Sequence, residues 1–261
     1  MRRFGAWFLA GLACGALVVF AGRSASALEL GVRTAFSLAF LAVSAEILLA
    51  SHLVPVLRGR LLWGTLLATG GLLSLVSGAR LTPESAGLST AALLWTASLL
   101  GAALGARIDK PGHVAAVAAV SSLADLWSVY DPAGPSAQLA HKLAEQPDRA
   151  SAFALCFPLL GTERIPALIG AGDVLFCALY LAAFERHGMR RERALWALGG
   201  AFALGLALLL WLERPLPLLP LLGGAVVLAD ARARSLDARE GRTVLAVLGL
   251  VSALLLVRLW R

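Results

Sequence analysis

The sequence ALWALGGAFALGLALLLWL, from Ala194 to Leu212, contains no charged side chain. An α-helix rises ~1.5 Å per residue, so a stretch of this length reaches across the ~30 Å hydrocarbon core of a bilayer. We therefore predict that this segment spans a membrane as a helix. Working outward from it, similar apolar stretches recur along the chain in both directions.

The whole composition agrees with a membrane environment. Of 261 residues 59% are hydrophobic and 15% charged, and the mean hydropathy is +0.80. A soluble domain with a solvated surface does not have such a composition. We predict an all-α polytopic membrane protein with a single transmembrane domain over residues 1–261 and about nine helices, counted by length. The predicted spans are residues 5–21, 34–57, 61–78, 87–106, 111–130, 165–184, 194–212, 215–228 and 243–260.

Three regions are expected within this domain. Residues 1–106 hold the N-terminal helices, residues 107–230 the helices with intramembrane acids and a proline motif, and residues 231–261 a C-terminal helix. The first span also fits a signal peptide, because an apolar run separates two N-terminal arginines from the small residues 24–27. We favour a retained helix. Gly11 and Gly15 give it the GxxxG spacing that suits close helix packing.

The charge of the chain indicates orientation in a membrane. The net charge is +7, but the arginines lie in short loops between apolar segments and form no single basic patch, which argues against nucleic-acid binding. If the N-terminus is cytoplasmic, most of the 23 Lys and Arg residues lie on the cytoplasmic side of the membrane, mainly in loops 186–193 and 232–242. We expect an integral protein of a prokaryotic cytoplasmic membrane, whose partner is the lipid bilayer. The oligomeric state is not indicated.

The cysteines point to neither a disulfide framework nor a metal site. Cys14, Cys156 and Cys177 form no CxxC pair and have no histidine at metal-ligand spacing. We interpret all three as small packing residues.

Ionisable residues within the predicted spans are the functional candidates. Each costs at least ~2.5 kcal/mol on insertion scales. Glu46, Asp125 and Asp173 qualify, with His52 as a weaker fourth. For Glu46 and His52 we expect hydrogen bonds between helices.

Serines surround Asp125 at helical spacing. Ser121 and Ser122 precede it by four and three residues, and Ser128 follows it by three, so all share one helix face. Such a stripe could hold water beside the carboxylate. The alternative is a polar packing seam in which the serines satisfy a lone Asp.

Glycines precede Asp173 in the run Ile-Gly-Ala-Gly-Asp-Val. Gly170 and Gly172 lack side chains, so another backbone can approach the carboxylate. Asp125 lies ~9 Å and Asp173 ~12 Å from the outer ends of their predicted antiparallel helices. Pro217 falls near the same end of the eighth span. We therefore predict that all three features lie in one layer of the membrane.

These residues resemble the motifs of the GxGD intramembrane proteases, the family of presenilin and signal peptide peptidase. In presenilin the first catalytic Asp is followed after seven, nine and ten residues by Pro, Gly and Pro, as Asp125 is here by Pro132, Gly134 and Pro135. The Gly-x-Gly-Asp motif is matched by residues 170–173.

The third motif of the family, Pro-Ala-Leu, has its counterpart in Pro217, Leu218 and Leu219, with Leu218 in the place of Ala. A second departure is Ala124, where the family has a Tyr before the first Asp. A competing register would use the pair Tyr130-Asp131, but that places Asp131 at the helix end, where it can cap the turn.

The resemblance implies a presenilin-like helix bundle and hydrolysis of peptide bonds within transmembrane proteins or signal-peptide-like substrates. It makes Asp125 and Asp173 the catalytic pair, sharing one water, and requires no metal or organic cofactor. The supporting residues it implies, together with the serines near Asp125, are Gly170, Gly172, Pro217, Leu218, Leu219, Ser121, Ser122 and Ser128.

Two other functions remain open. An ion- or proton-coupled transporter or channel could use the same acids, with Glu46. A catalytically inactive protein of the same fold could bind membrane segments without cutting them.

The long connection from Asp131 to Arg164 contains the apolar run Phe153 to Leu160, which we predict to be an edge strand or a re-entrant segment. This run, or Pro217 and Pro220, could pair with an unwound substrate by strand addition.

Overall fold

The computed structural model describes residues 2–24, 30–57, 59–145, 153–162 and 164–237, with 241, 242, 246 and 249. These residues are mostly helical. The helices are α1 Arg2–Ser24, α2 Val32–Leu53, α3 Gly59–Val76, α4 Pro83–Gly105, α5 His113–Tyr130, α6 Pro135–Glu145, α7 Ala171–Arg186, α8 Arg191–Leu212 and α9 Leu219–Ala229. A 3-10 turn covers Ala231–Arg234, and the strands are β1 Ala154–Cys156 and β2 Ala167–Gly170. Most of the predicted span 243–260, and residues 25–27 of the alternative cleavage site, lie outside the described residues.

Six helices within these ranges are long and apolar enough to cross a membrane. They are α1, α2, α3, α4, α5 and α8. The prediction of a helical membrane protein is thereby confirmed. Helices α7 and α9 correspond to the sixth and eighth predicted spans but have only 16 and 11 residues. The number of nine spans stays a prediction.

The predicted sixth span, residues 165–184, is wrong at its beginning. Residues Ala167–Gly170 form β2, which pairs antiparallel with β1, and the helix begins only at Ala171. Pro166 restricts only Ile165, the residue before it, so the strand at 167–170 follows from its pairing with β1. The hairpin extends beyond the strands through hydrogen bonds from Ala171 N–H to the Phe153 carbonyl and from Phe157 N–H to the Pro166 carbonyl. The apolar run from Phe153 thus contains a strand, one of its two predicted forms.

Two further helix boundaries differ from the sequence prediction. The long connection after Asp131 contains α6, which begins at Pro135, a residue well suited to the first position of a helix. Helix α9 begins at Leu219, not at Pro215, so Pro215 and Pro217 precede it. Both boundaries follow from proline, which fits the start of a helix better than its interior.

The described residues form two compact units. The first comprises the residues up to Arg107 and from Leu143 to Ala182, and the second comprises Ile108–Lys142 and the residues from Ala183 onward.

In the first unit α1 packs closely against α4. A Cβ atom on Gly15 would lie 2.7 Å from the Gly87 carbonyl oxygen, and one on Gly11 would collide with the Trp95 side chain. Nearby, the buried Trp7 indole donates a hydrogen bond to Ser98 Oγ over 3.0 Å. The GxxxG spacing in α1 therefore serves helix packing, as predicted.

Helix α4 also packs against α7 and β1. Cβ atoms on Gly101 and Gly105 would collide with the main-chain carbonyls of Leu175 and Leu179. Thr90 Oγ1 donates to the Cys156 carbonyl of β1 over 3.3 Å. Glycines on α4 thus allow the main chains of α4 and α7 to lie in direct contact. This contact holds α7, which carries Asp173, in place.

In the second unit α5 and α8 both pack against α9. A Cβ atom on Gly223 of α9 would lie 3.0 Å from the Cβ of Ala118 on α5. A Cβ on Gly205 of α8 would lie 2.7 Å from a methyl carbon of Leu218, just before α9. Small residues therefore bring α5 close to the start of α9, where the proline motif lies.

Candidate functional site

Asp125 lies on α5, half-buried, and faces the beginning of α9. Its Oδ2 accepts a hydrogen bond of 2.9 Å from the main-chain N–H of Leu219. Leu219 is the first residue of α9, where N–H groups have no partner within the helix. The carboxylate therefore caps α9, and the residues just before this contact are Pro217 and Leu218. The acid and the proline motif, far apart in sequence, are in contact.

The three serines near Asp125 donate their hydroxyl protons within the protein. Ser121 and Ser122 donate to the Ala118 carbonyl of their own helix, over 3.1 and 2.6 Å. Ser128 donates to Ser136 Oγ over 2.7 Å and accepts from the Ser136 N–H over 2.9 Å. Ser128 thus fixes the first turn of α6. These hydrogen bonds join the serines to their own helix and to α6, whereas Asp125 is bonded by Leu219 and not by a serine. A water-holding role for the stripe stays a prediction.

Asp131, the acid of the competing register, caps the turn after α5. Its Oδ1 accepts from the Ala133 N–H and its Oδ2 from Trp127 Nε1, both over 2.8 Å. The capping role is as predicted, but the residue is buried, with 7% of its surface exposed, and not at an exposed interface. With both oxygens engaged in local structure, Asp131 is a weaker candidate for catalysis than Asp125.

Asp173 is the third residue of α7, directly after β2. Its Oδ2 accepts a hydrogen bond of 3.2 Å from the N–H of Gly170, the residue just before the helix. A negative charge is favourable at this end of a helix. The predicted depth of ~12 Å along a helix is wrong, because α7 begins at Ala171.

The glycines next to Asp173 leave its main chain accessible. Among the described residues, no atom lies within 4 Å of a Cβ built on Gly172, and one built on Gly170 would meet only Asp173 itself and Gly172. An approaching backbone would find space here, as the sequence predicted. Asp173 and its glycines belong to the first unit, whereas Asp125 and the proline motif belong to the second.

Glu46 is a third acid, on α2 in the first unit. Only 4% of its surface is exposed, and neither carboxyl oxygen has a hydrogen-bond partner within the described part of the chain. The expected hydrogen bond between helices is therefore not formed by Glu46. A buried carboxyl group in this setting contributes no stabilising contact to offset its loss of hydration.

We expect Glu46→Leu to stabilise the protein. Removing an unsatisfied buried polar group should raise the free energy of unfolding by about 1–3 kcal/mol. Thermal unfolding of the purified protein in detergent measures this. Ser44→Ala serves as control, because the buried Ser44 hydroxyl donates to the Phe40 carbonyl over 2.7 Å and its loss should not stabilise. A lower melting temperature for Glu46→Leu would mean that the carboxyl group has a partner.

Sequence reasoning missed strand β2 and the Thr90 hydrogen bond that holds β1. The apolar residues 167–170 fit a strand and part of a helix equally well, so they offered no signal for β2. For Thr90 the sequence offers no signal, because a threonine on an apolar helix equally often bonds its own backbone.

No protein-family model matches the chain, and no curated protein matches it significantly. Its class therefore follows from its own structure. The six long apolar helices among the described residues define a helical integral membrane protein.

Proposed function

We propose that this protein is an intramembrane aspartyl protease of the presenilin and signal peptide peptidase type, with about nine spans in the presenilin-like bundle. The observation that carries the proposal is the hydrogen bond from Leu219 to Asp125. It joins two motifs that are 94 residues apart in sequence and that the family places together at its active site. Its substrates would be transmembrane proteins or signal-peptide-like segments.

The proposed chemistry uses Asp125 and Asp173 as a pair that shares one proton and one water molecule. Two carboxyl groups at one water do not both ionise readily, so one acts as base and the other as acid. The ionised group takes a proton from the water as it attacks the peptide carbonyl carbon, and the protonated group donates to the carbonyl oxygen. The proposal requires both carboxyl groups to reach the same water.

The hydrogen bond from Leu219 has a defined role in this scheme. It holds Oδ2 of Asp125 in place at the start of α9. A main-chain donor at a helix start is fixed in place, so the carboxyl group is oriented before the substrate arrives.

A substrate helix must unwind locally, because its carbonyls are otherwise engaged in its own hydrogen bonds. We infer that the segment from Phe153 to Leu160 offers main-chain partners to the unwound substrate. Strand β1 has a single partner strand in the described residues. Because its side chains are buried, a substrate would first meet this segment at the exposed Phe153. Its partner strand β2 leads directly into α7, which carries Asp173, and this suits the role.

Phe153→Glu tests this inference. Phe153 is 66% exposed, so the variant should fold, but a charge beside the docking strand should lower the cleavage rate severalfold. Val32→Glu, at a 67% exposed position at the start of α2, is the matched control and should cleave normally. Normal cleavage by Phe153→Glu would refute the role of this segment.

The function itself is tested with purified protein in lipid bilayers and a model transmembrane peptide. We expect cleavage into two products that mass spectrometry assigns to one bond within the apolar segment. A peptide analogue with a hydroxyl-bearing tetrahedral carbon in place of the scissile carbonyl should inhibit, because it resembles the transition state. A chelator should have no effect. Absence of cleavage, or inhibition by the chelator alone, would refute the proposal.

The second candidate is an ion- or proton-coupled transporter, and Glu46 is the observation that favours it. An unpartnered carboxyl group within a membrane-spanning helix is a common element of proton pathways. Dissipation of a pH gradient by proteoliposomes, lost in Glu46→Gln, would support this candidate. A catalytically inactive protein of the same fold would bind the model peptide but release no product.

A further inference from the structure

Three connections of the second unit meet at one end of its helices. The Arg232 guanidinium donates to the Gly188 carbonyl over 2.9 Å, and His187 Nε2 contacts the Ile108 carbonyl over 2.9 Å. Asp230 accepts hydrogen bonds from Arg232, which lower the pKa of its carboxyl group, and from the Arg190 main chain. These bonds hold residues 108–112, 187–190 and 230–237 together, and with the adjoining residues 185, 186 and 191–193 they form one surface.

This surface carries more positive charge than its acids neutralise. Four of its cations form ion pairs: Arg186 with Asp109, Arg191 with Glu185, Arg232 with Asp230 and Lys110 with Asp237. Arg190, Arg193 and Arg234 are exposed, and no described acid pairs with them. Glu192 is the only nearby described acid that is also unpaired. We call the three unpaired arginines the arginine surface.

The depth of the arginine surface relative to a membrane follows from α8. Trp196 and Trp211, near the two ends of this helix, are 81% and 78% exposed. They lie ~22 Å apart along the axis, and exposed tryptophans concentrate at the two membrane interfaces. Arg193 is three residues before Trp196 and on the same helix face. The arginine surface therefore lies at the level of the lipid headgroups.

We propose that Arg190, Arg193 and Arg234 bind the headgroup of an anionic phospholipid in the leaflet at this end of the helices. Guanidinium groups bind phosphate oxygens in a bidentate manner, and each basic residue near a membrane surface adds to anionic-lipid affinity. Trp196 and the apolar face of α8 lie where the acyl chains of such a lipid would extend.

The test uses the full chain purified in a neutral detergent and titrated with phosphatidylglycerol or phosphatidylcholine. Native mass spectrometry counts the bound lipid. The wild type should prefer phosphatidylglycerol, and the triple variant Arg190→Gln, Arg193→Gln, Arg234→Gln should lose at least about tenfold in apparent affinity for it. A triple Arg→Lys variant keeps the charge but loses the bidentate geometry, so its affinity should lie between those of the wild type and the Gln variant. Helical content by circular dichroism verifies that the variants fold.

A matched control removes three other exposed arginines, Arg80, Arg164 and Arg214, which lie in connections predicted to face the opposite side. This variant loses the same charge and should bind phosphatidylglycerol like the wild type. Equal losses in both triple variants would overturn the proposal, since total charge would then explain the binding. Displacement of the lipid by millimolar inorganic phosphate would also overturn it. The outcome is independent of proteolysis, because no cleavage is measured.

Discussion

Asp125→Asn and Asp173→Asn should each lower the rate of transmembrane-peptide cleavage by at least about a thousandfold. The substitution preserves size and leaves a carbonyl oxygen that can still accept the Leu219 or Gly170 N–H. What it removes is the ability to exchange a proton with water and with the peptide carbonyl. Initial rates, normalised to folded protein, measure the effect.

Asp131→Asn is the matched control for this experiment. It makes the same chemical change six residues from Asp125, but Asp131 is engaged in capping the turn after α5. An amide offers one acceptor oxygen where the carboxylate offers two, so stability should fall while the rate per folded molecule is retained. Retained cleavage in Asp125→Asn or Asp173→Asn would overturn the catalytic assignment.

Gly101→Ala, on α4, should cause a large loss of stability. The added methyl group would collide with the Leu175 carbonyl, which is part of a rigid helix backbone and cannot rotate away. We expect the free energy of unfolding to fall by about 3 kcal/mol, the upper range for overpacking a close contact. Thermal unfolding in detergent measures the loss. Cleavage should fall as well, because Leu175 is two residues from Asp173.

Gly71→Ala is the control, for which we expect no loss of stability. Gly71 lies within α3, and a Cβ built there meets nothing within 4 Å in the described chain. Alanine favours a helix over glycine by up to about 1 kcal/mol, so this variant should be as stable as the wild type or slightly more so. Equal melting temperatures for Gly101→Ala and the wild type would mean that α4 and α7 lie farther apart than described.

Apolar length predicted the membrane helices well because a bilayer imposes one strong requirement on each span. The same criterion failed at residues 167–170. A short apolar run is equally consistent with a buried strand and with part of a helix, so hydropathy did not distinguish the two. Helix α6 was missed because its apolar residues are few and lie within a polar connection.

The site was predictable in its parts but not in its contacts. Helical spacing placed Ser121, Ser122 and Ser128 near Asp125, but a serine hydroxyl often bonds its own backbone, and spacing does not reveal that choice. The contact of Leu219 with Asp125 depends on how α5 packs against α9, through Gly223 and Ala118. Helix depth predicted that Asp125 and Pro217 lie in one layer of the membrane, but not which atoms are in contact.

The glycines of α4 impose an order on biosynthesis. Gly87 can meet its partner in α1 as soon as both helices have entered the bilayer, because α1 is made first. Gly101 and Gly105 must wait for Leu175 and Leu179, which the ribosome adds some seventy residues later. Until then, one side of α4 faces lipid with its main chain uncovered. A nascent chain halted before residue 171 would therefore have its first helix pair assembled and its next contact surface still bare.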